Sequence, residues 1–116
     1  MSNNLDQLFG NYASSVVRQY TTTVYEGLSK LGSSPVQADG CSDVECDNYN
    51  SSDIKSAALG AELVVVALGL GTKQESEGHD RSRLDLPGSQ LQLLKDAVTY
   101  GDLCHMPYSN ALRERF

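Results

Sequence analysis

The amino-acid sequence predicts an α/β fold: a partial α/β sandwich with a mainly parallel sheet flanked by helices. The first observation behind this is the run LVVVAL at 63–68, an uninterrupted stretch of aliphatic, mostly β-branched residues. Such a run reads as a strand buried on both faces, as in a parallel sheet, and six residues are too few for a buried helix. The second is the stretch on either side of it. Residues 51–60 before it and 89–98 beyond it both carry apolar residues at helical spacing. The third is the glycine-bounded polar loop that leaves the run's carboxyl end. Helix, strand, loop and helix in that order make half of a sandwich with right-handed crossovers.

Taken in order, residues 1–23 are polar, rich in Ser, Thr and Asn, and without a sustained period, so they read as a linker. Leu8 and Phe9 are its candidate apolar anchors. Thr23 is placed to cap a helix over 24–31, with Val24, Leu28 and Leu31 on one face and Gly32 as its stop. Val36, between Pro35 and Gly40, reads as a brief strand. Residues 40–50 form a loop, after which Ser51 or Ser52 caps a helix running to Gly60 with Ile54, Ala57 and Ala58 inward. Ser89 and Gln92 match the S-x-x-Q capping box of a helix whose apolar face is Leu91, Leu94, Ala97 and Val98. From Thr99 the apolar pattern dissolves. The expected organisation is therefore a linker-like segment 1–23, a partial sandwich domain 24–98 and a divergent tail 99–116.

Composition narrows the function. At 116 residues the chain holds one domain at most, and a net charge of −6 argues against nucleic acid, whose phosphates need a basic surface. No apolar run approaches the roughly 18–20 residues of a membrane span. The N-terminus carries neither the basic region nor the apolar core of a signal peptide, so the chain as it stands reads as cytoplasmic. Cys41 and Cys46 stand close together and Cys104 alone. Zinc usually takes four ligands and no second pair exists, which leaves either a small-loop disulfide or two inert thiols. A disulfide would imply an oxidising compartment, in conflict with the N-terminus.

The polar loop gathers Glu75, Glu77, His79, Asp80 and Arg81 within seven residues. Ligands of open α/β sheets bind beyond the carboxyl ends of the strands, where this loop emerges. The near-consecutive spacing fits no zinc or EF-hand pattern, so no metal and no cofactor is expected. GLG at 69–71 lacks dinucleotide-binding spacing. No serine or cysteine motif accompanies His79. Asp80-Arg81 reads as a pair that pins the loop or clamps a substrate. A solvated surface loop and a carboxyl acid/base both remain open on the residues alone.

A longer pattern separates them. Gly69, Leu70, Glu75, Glu77, Gly78, Asp80, Arg81, Leu84, Leu86, Pro87, Gly88 and Gln90 spell G-L-x(4)-E-x-E-G-x-D-R-x-x-L-x-L-P-G-x-Q. This resembles the C-terminal α/β sandwich domain of glycoside hydrolase family 3, in its β-xylosidase/β-glucosidase branch. LFGNYA at 8–13 and GCSDVEC at 40–46 also resemble that family, in the same order, so the resemblance covers about residues 7–98. It implies retaining hydrolysis of a β-linked sugar by two carboxyl groups: an Asp nucleophile in a TIM-barrel domain and an acid/base Glu on a sandwich-domain loop. Glu77, before the glycine of E-G-x-D-R, is the implied acid/base, with Glu75 second. His79, Asp80 and Arg81 are the implied substrate contacts, and a Cys41–Cys46 disulfide gains weight. A TIM barrel needs about 250 residues, so the resemblance implies a piece of a secreted enzyme that is inactive alone. A non-catalytic module binding carbohydrate or protein is the alternative.

Overall fold

The computed structural model describes residues 21–32 and 34–101. The expected linker up to Tyr20, with its anchors Leu8 and Phe9, and the tail from Asp102 with Cys104, lie outside the described residues. Among the described residues three helices are formed: α1 (Val24–Ser29), α2 (Ser51–Ala58) and α3 (Gln90–Tyr100).

Helix α1 starts where the sequence places it. Thr23 Oγ1 accepts from the Glu26 amide at 3.2 Å, and the Glu26 carboxylate takes the Thr23 amide at 2.8 Å, closing a capping box. Its expected apolar face is not buried, however. No residue of the helix is buried, and Leu31, beyond its end, is 80% exposed. A six-residue helix has too few internal bonds to stand on propensity, so the cap carries much of its definition.

Helix α2 is capped by Asn50, whose Oδ1 accepts from the Ser52 amide at 3.1 Å, and not by Ser51 or Ser52. Ile54 and Ala58 are buried as expected and Ala57 is half-buried.

Helix α3 departs from expectation at its start and in its rotation. The Ser89–Gln92 capping box is not formed. Ser89 makes no side-chain cap bond; its amide donates to Cys46 O at 3.1 Å, and Gln92 donates to Asp96 at 2.8 Å. The buried stripe is Gln90, Leu93 and Ala97, at i, i+3 and i+7, while Leu91 and Val98 lie on the open side. Counting apolar residues alone misplaces this face because its first member is an amide.

The expected sheet is not seen among the described residues. Neither Leu63–Leu68 nor Val36 forms a strand, and the ladder contacts among the described residues are two isolated antiparallel bridges, Cys41–Tyr49 and Ser76–His79. The 63–68 run is not buried on both faces. Val64, Val66 and Leu68 are half-buried against the core, whereas Leu63 is 68% and Val65 52% exposed. This is the period-two burial of a strand, with no neighbour among the described residues whose hydrogen bonds would make it one.

The core is built from the Cys41–Cys46 disulfide, Ile54 of α2, and Leu93 and Ala97 of α3, with Tyr49, Val64, Val66 and Leu68 packed around it. Polar contacts tie its edges. The Tyr49 hydroxyl donates to Asp96 at 2.6 Å, and Lys55 on α2 lies 5.4 Å from the ring centre of Tyr100 on α3. An open groove of about 570 Å³ lies between α1, α2 and the apolar run, bordered by Val24, Leu28, Val36, Leu59 and Val65. No residue of the charged loop lines it.

Candidate functional site

The polar loop between Gly69 and Gln90 is fixed at both stems. On the incoming side the Gln90 side chain grips Gly69: Oε1 accepts from its amide at 3.1 Å and Nε2 donates to its carbonyl at 2.8 Å. The same Nε2 donates to Val44 O at 2.7 Å. Gln90 is fully buried and thus uses donor and acceptor sites together. Two residues on, the Gly71 amide donates to Gln74 Oε1 at 2.9 Å, and Lys73 pairs with Glu45 at 3.3 Å. The Glu45 carboxyl sits below its usual range, first through a backbone hydrogen bond and then through Gln74 and Lys73.

On the outgoing side Gly88 lies directly on the disulfide segment. Its φ is +49°, and a Cβ there would stand 2.1 Å from Glu45 O and 2.7 Å from Cys46 O. Only glycine admits that approach. Cys46 itself holds a left-handed φ of 55°, with its amide tied to Asp43 Oδ1 at 2.9 Å. The Cys41–Cys46 bridge fixes this turn, with Cα atoms 4.9 Å apart. Both stems therefore meet on one disulfide-closed segment.

Between the stems the loop is braced from within. Ser76 and His79 exchange two backbone hydrogen bonds, of 3.0 and 2.9 Å, around a two-residue tip of Glu77 and Gly78. Gly78 has φ +76°, as the third position of a type II turn requires. Glu75 accepts from the Arg81 amide at 3.1 Å, and the Arg81 guanidinium donates to Asp85 O. Arg83 and Asp85 form an exposed pair at 2.7 Å, which holds the Asp85 carboxyl below the ordinary range.

These contacts divide the expected site residues. Glu77 stands exposed at the tip, and its carboxylate has no hydrogen-bond or ion-pair partner among the described residues. Glu75 is engaged as a brace. His79 and Asp80 are exposed, their side chains without a partner among the described residues. Arg81 does pin the loop, but through Asp85 and Glu75 and not through Asp80. Among the described residues no group of three or more His, Cys, Asp or Glu side chains is placed to hold a metal. The arrangement offers one carboxyl group at a loop tip, able to give or take a proton from a group brought to it. One carboxyl supports half of a two-carboxyl displacement.

Reading the sequence by apolar period passes over Gln90 and Gly88. The signal for both was the P-G-x-Q sequence itself, a glycine and an amide at the head of a helix where the buried stripe 90, 93, 97 begins.

Comparison with known proteins agrees with the motif. The chain is 36% identical over 97 residues to probable beta-D-xylosidase 6 of Arabidopsis thaliana, an alignment covering 81% of this chain and 12% of the relative. It is 35% identical over 91 residues to beta-xylosidase/alpha-L-arabinofuranosidase 2 of Medicago sativa subsp. varia, covering 78% and 11% respectively. A probable beta-glucosidase J of Aspergillus fumigatus is 34% identical over 70 residues, covering 60% and 8%. The chain thus spans about an eighth of the length of the plant relatives. No solved structure matches it. The family model for the glycosyl hydrolase family 3 C-terminal domain matches residues 2–103, nearly the whole sequence, and the chain belongs to that family.

Proposed function

We propose that this chain supplies the acid/base loop of a retaining β-glycosidase, with Glu77 as the proton donor and acceptor. Its substrates would be β-linked xylosides and glucosides, processed in carbohydrate catabolism. The observation that carries the reading is the division of labour between the two glutamates. Glu75 is spent on the Arg81 amide, while Glu77 projects unengaged from a braced two-residue tip. A general acid must reach the leaving oxygen of a bound sugar, and an exposed carboxyl on a rigid tip suits that task. His79, Asp80 and Arg81 flank it as candidate substrate contacts, with Arg81 also shaping the loop.

The second carboxyl group, an Asp nucleophile, belongs on this reading to a TIM-barrel domain that the chain does not contain. In retaining hydrolysis the two groups stand roughly 5–5.5 Å apart across the scissile bond, so neither works without the other. The sandwich domain, on this reading, occupies residues 24–98, with 1–23 and 99–116 as flanking segments. The Cys41–Cys46 disulfide favours the secretory pathway or the extracellular space, where such bonds persist. Among the described residues no helix is long and apolar enough to cross a membrane.

The test is an assay on aryl β-xylosides and β-glucosides. The isolated chain is expected to give no turnover above background. Supplied with the barrel domain of a relative, it should gain activity that Glu77→Gln lowers by about 10²–10⁴-fold. The loss should be smallest for substrates whose leaving group needs no proton. Glu75→Gln should cost far less. Turnover by the isolated chain, or a larger loss at Glu75 than at Glu77, would overturn the assignment.

A further inference from the structure

We infer that Gln90 is a positioning residue for Glu77, clamping the charged loop to the disulfide-closed segment Cys41–Cys46. The inference rests on the reading of Glu77 as the acid/base, but its geometry is independent of that reading. Gln90 is fully buried at the head of α3, and its amide makes three hydrogen bonds: two to the backbone of Gly69 and one to Val44 O. Gly69 is the residue from which the loop departs, and Val44 lies inside the disulfide ring. One side chain thus joins the incoming stem to the ring that the outgoing stem already touches through Ser89 and Gly88.

The chemistry admits few substitutes. The clamp needs two donors and one acceptor on the same planar head, which only a primary amide supplies. A carboxylate keeps the acceptor and loses both donors. Leucine loses all three, and asparagine is one methylene short. Because Gln90 touches neither Glu77 nor any group a substrate would reach, it acts through the Gly69 backbone. The loop beyond is internally braced by Ser76–His79, Glu75–Arg81 and Arg81–Asp85. Freed at one stem, the loop loses the anchor that keeps these internal bonds closed, and they open more often.

The test uses the full 116-residue chain, labelled for amide hydrogen exchange by NMR. In Gln90→Glu at neutral pH the amides of Gly69, Ser76, His79 and Arg81 should exchange about tenfold faster, the scale of a lost buried hydrogen bond, while those of Leu93 and Ala97 stay within about twofold. Lowering the pH through the titration of the new carboxyl restores one donor and should restore part of the protection. An equal rise in loop and helix exchange, or an unchanged loop, would overturn the inference. If the variant fails to fold, the unaltered chain still decides. The Gln90 side-chain amide protons should exchange in step with Gly69 and the loop; exchange in step with α3 contradicts the clamp. None of these readouts involves turnover, so a failure of Glu77 as acid/base would appear in the glycoside assay alone.

Discussion

A methyl group at position 88 would have to share space with two carbonyl groups of the disulfide segment, the nearer 2.1 Å away, on a backbone with φ +49°. Those carbonyls are main-chain atoms, held in place by the Cys41–Cys46 bridge, so neither can swing aside as a side-chain end would. Gly88→Ala should therefore cost more than the strain of a left-handed residue alone, at least about 2 kcal/mol. A shifted urea midpoint with little change in slope would show it. The same scale explains how much of the candidate site could be read in advance. Glu77, Glu75 and the cysteine pair stand in a pattern made of residue identities, and identities are what a sequence displays. The division between a free Glu77 and a bracing Glu75 was not legible, because it depends on the turn that returns Arg81 to Glu75, six residues away. The clamping role of Gln90, a member of that pattern, was hidden for a related reason: its partners are backbone groups 21 and 46 residues distant.

Helices were legible where their signals are local. Thr23 and Glu26 cap α1 through each other, and Ile54 and Ala58 repeat at one-turn spacing in α2. The run 63–68 is unpaired among the described residues: a strand exists by virtue of a neighbour, which the run's own residues do not specify, and its alternating burial shows one covered face. Since no residue of α1 is buried, its stability is local. Thr23→Ala should weaken α1 by about 1 kcal/mol. Helical carbon shifts over 24–29 should fade while the global unfolding midpoint barely moves; a fall in the global midpoint of that size would show that α1 is part of the cooperative core. The junction of α2–α3 with the Tyr49 segment behaves differently. Burial, aided by Asp96, raises the Tyr49 hydroxyl above its ordinary pKa of 10.0. A raised folded-state value means that the contribution is fully present below pH 10 and is lost as the pH climbs above it. Tyr49→Phe should remove the Asp96 hydrogen bond, at about 0.5–1.5 kcal/mol. The wild type should then lose its advantage over the variant in alkaline melts, and parallel curves through that range would contradict the part-buried, hydrogen-bonded hydroxyl.

At the scale of the whole molecule, the apolar residues do not all find a core. Among the described residues the buried apolar set is Cys41, Val44, Cys46, Ile54, Ala58, Leu93 and Ala97, of which only Val44, Ile54 and Leu93 are branched aliphatics. Against these stand Val36 at 76%, Leu59 at 69%, Leu63 at 68% and Val65 at 52% exposed, four large side chains bordering one groove. At roughly 25 cal/mol per Å² of apolar surface, leaving such a patch open forgoes burial energy that the core needs. The patch lies away from the charged loop, so the loop's bracing by Gln90, Gly88 and the disulfide does not depend on what covers it. Two behaviours should therefore separate in solution. The folded chain should bind a hydrophobic dye such as ANS at neutral pH without denaturant, which a chain with a closed core does not do. Paired substitution of Leu63→Lys and Val65→Lys should suppress that binding, because both side chains point away from the half-buried set Val64, Val66 and Leu68. The same double variant should leave the exchange pattern of Ser76, His79 and Arg81 unchanged, since the stems are held elsewhere. Dye binding that survives the substitutions would place the exposed apolar surface on another face, and loosened loop amides would show that the apolar run and the charged loop are mechanically one element.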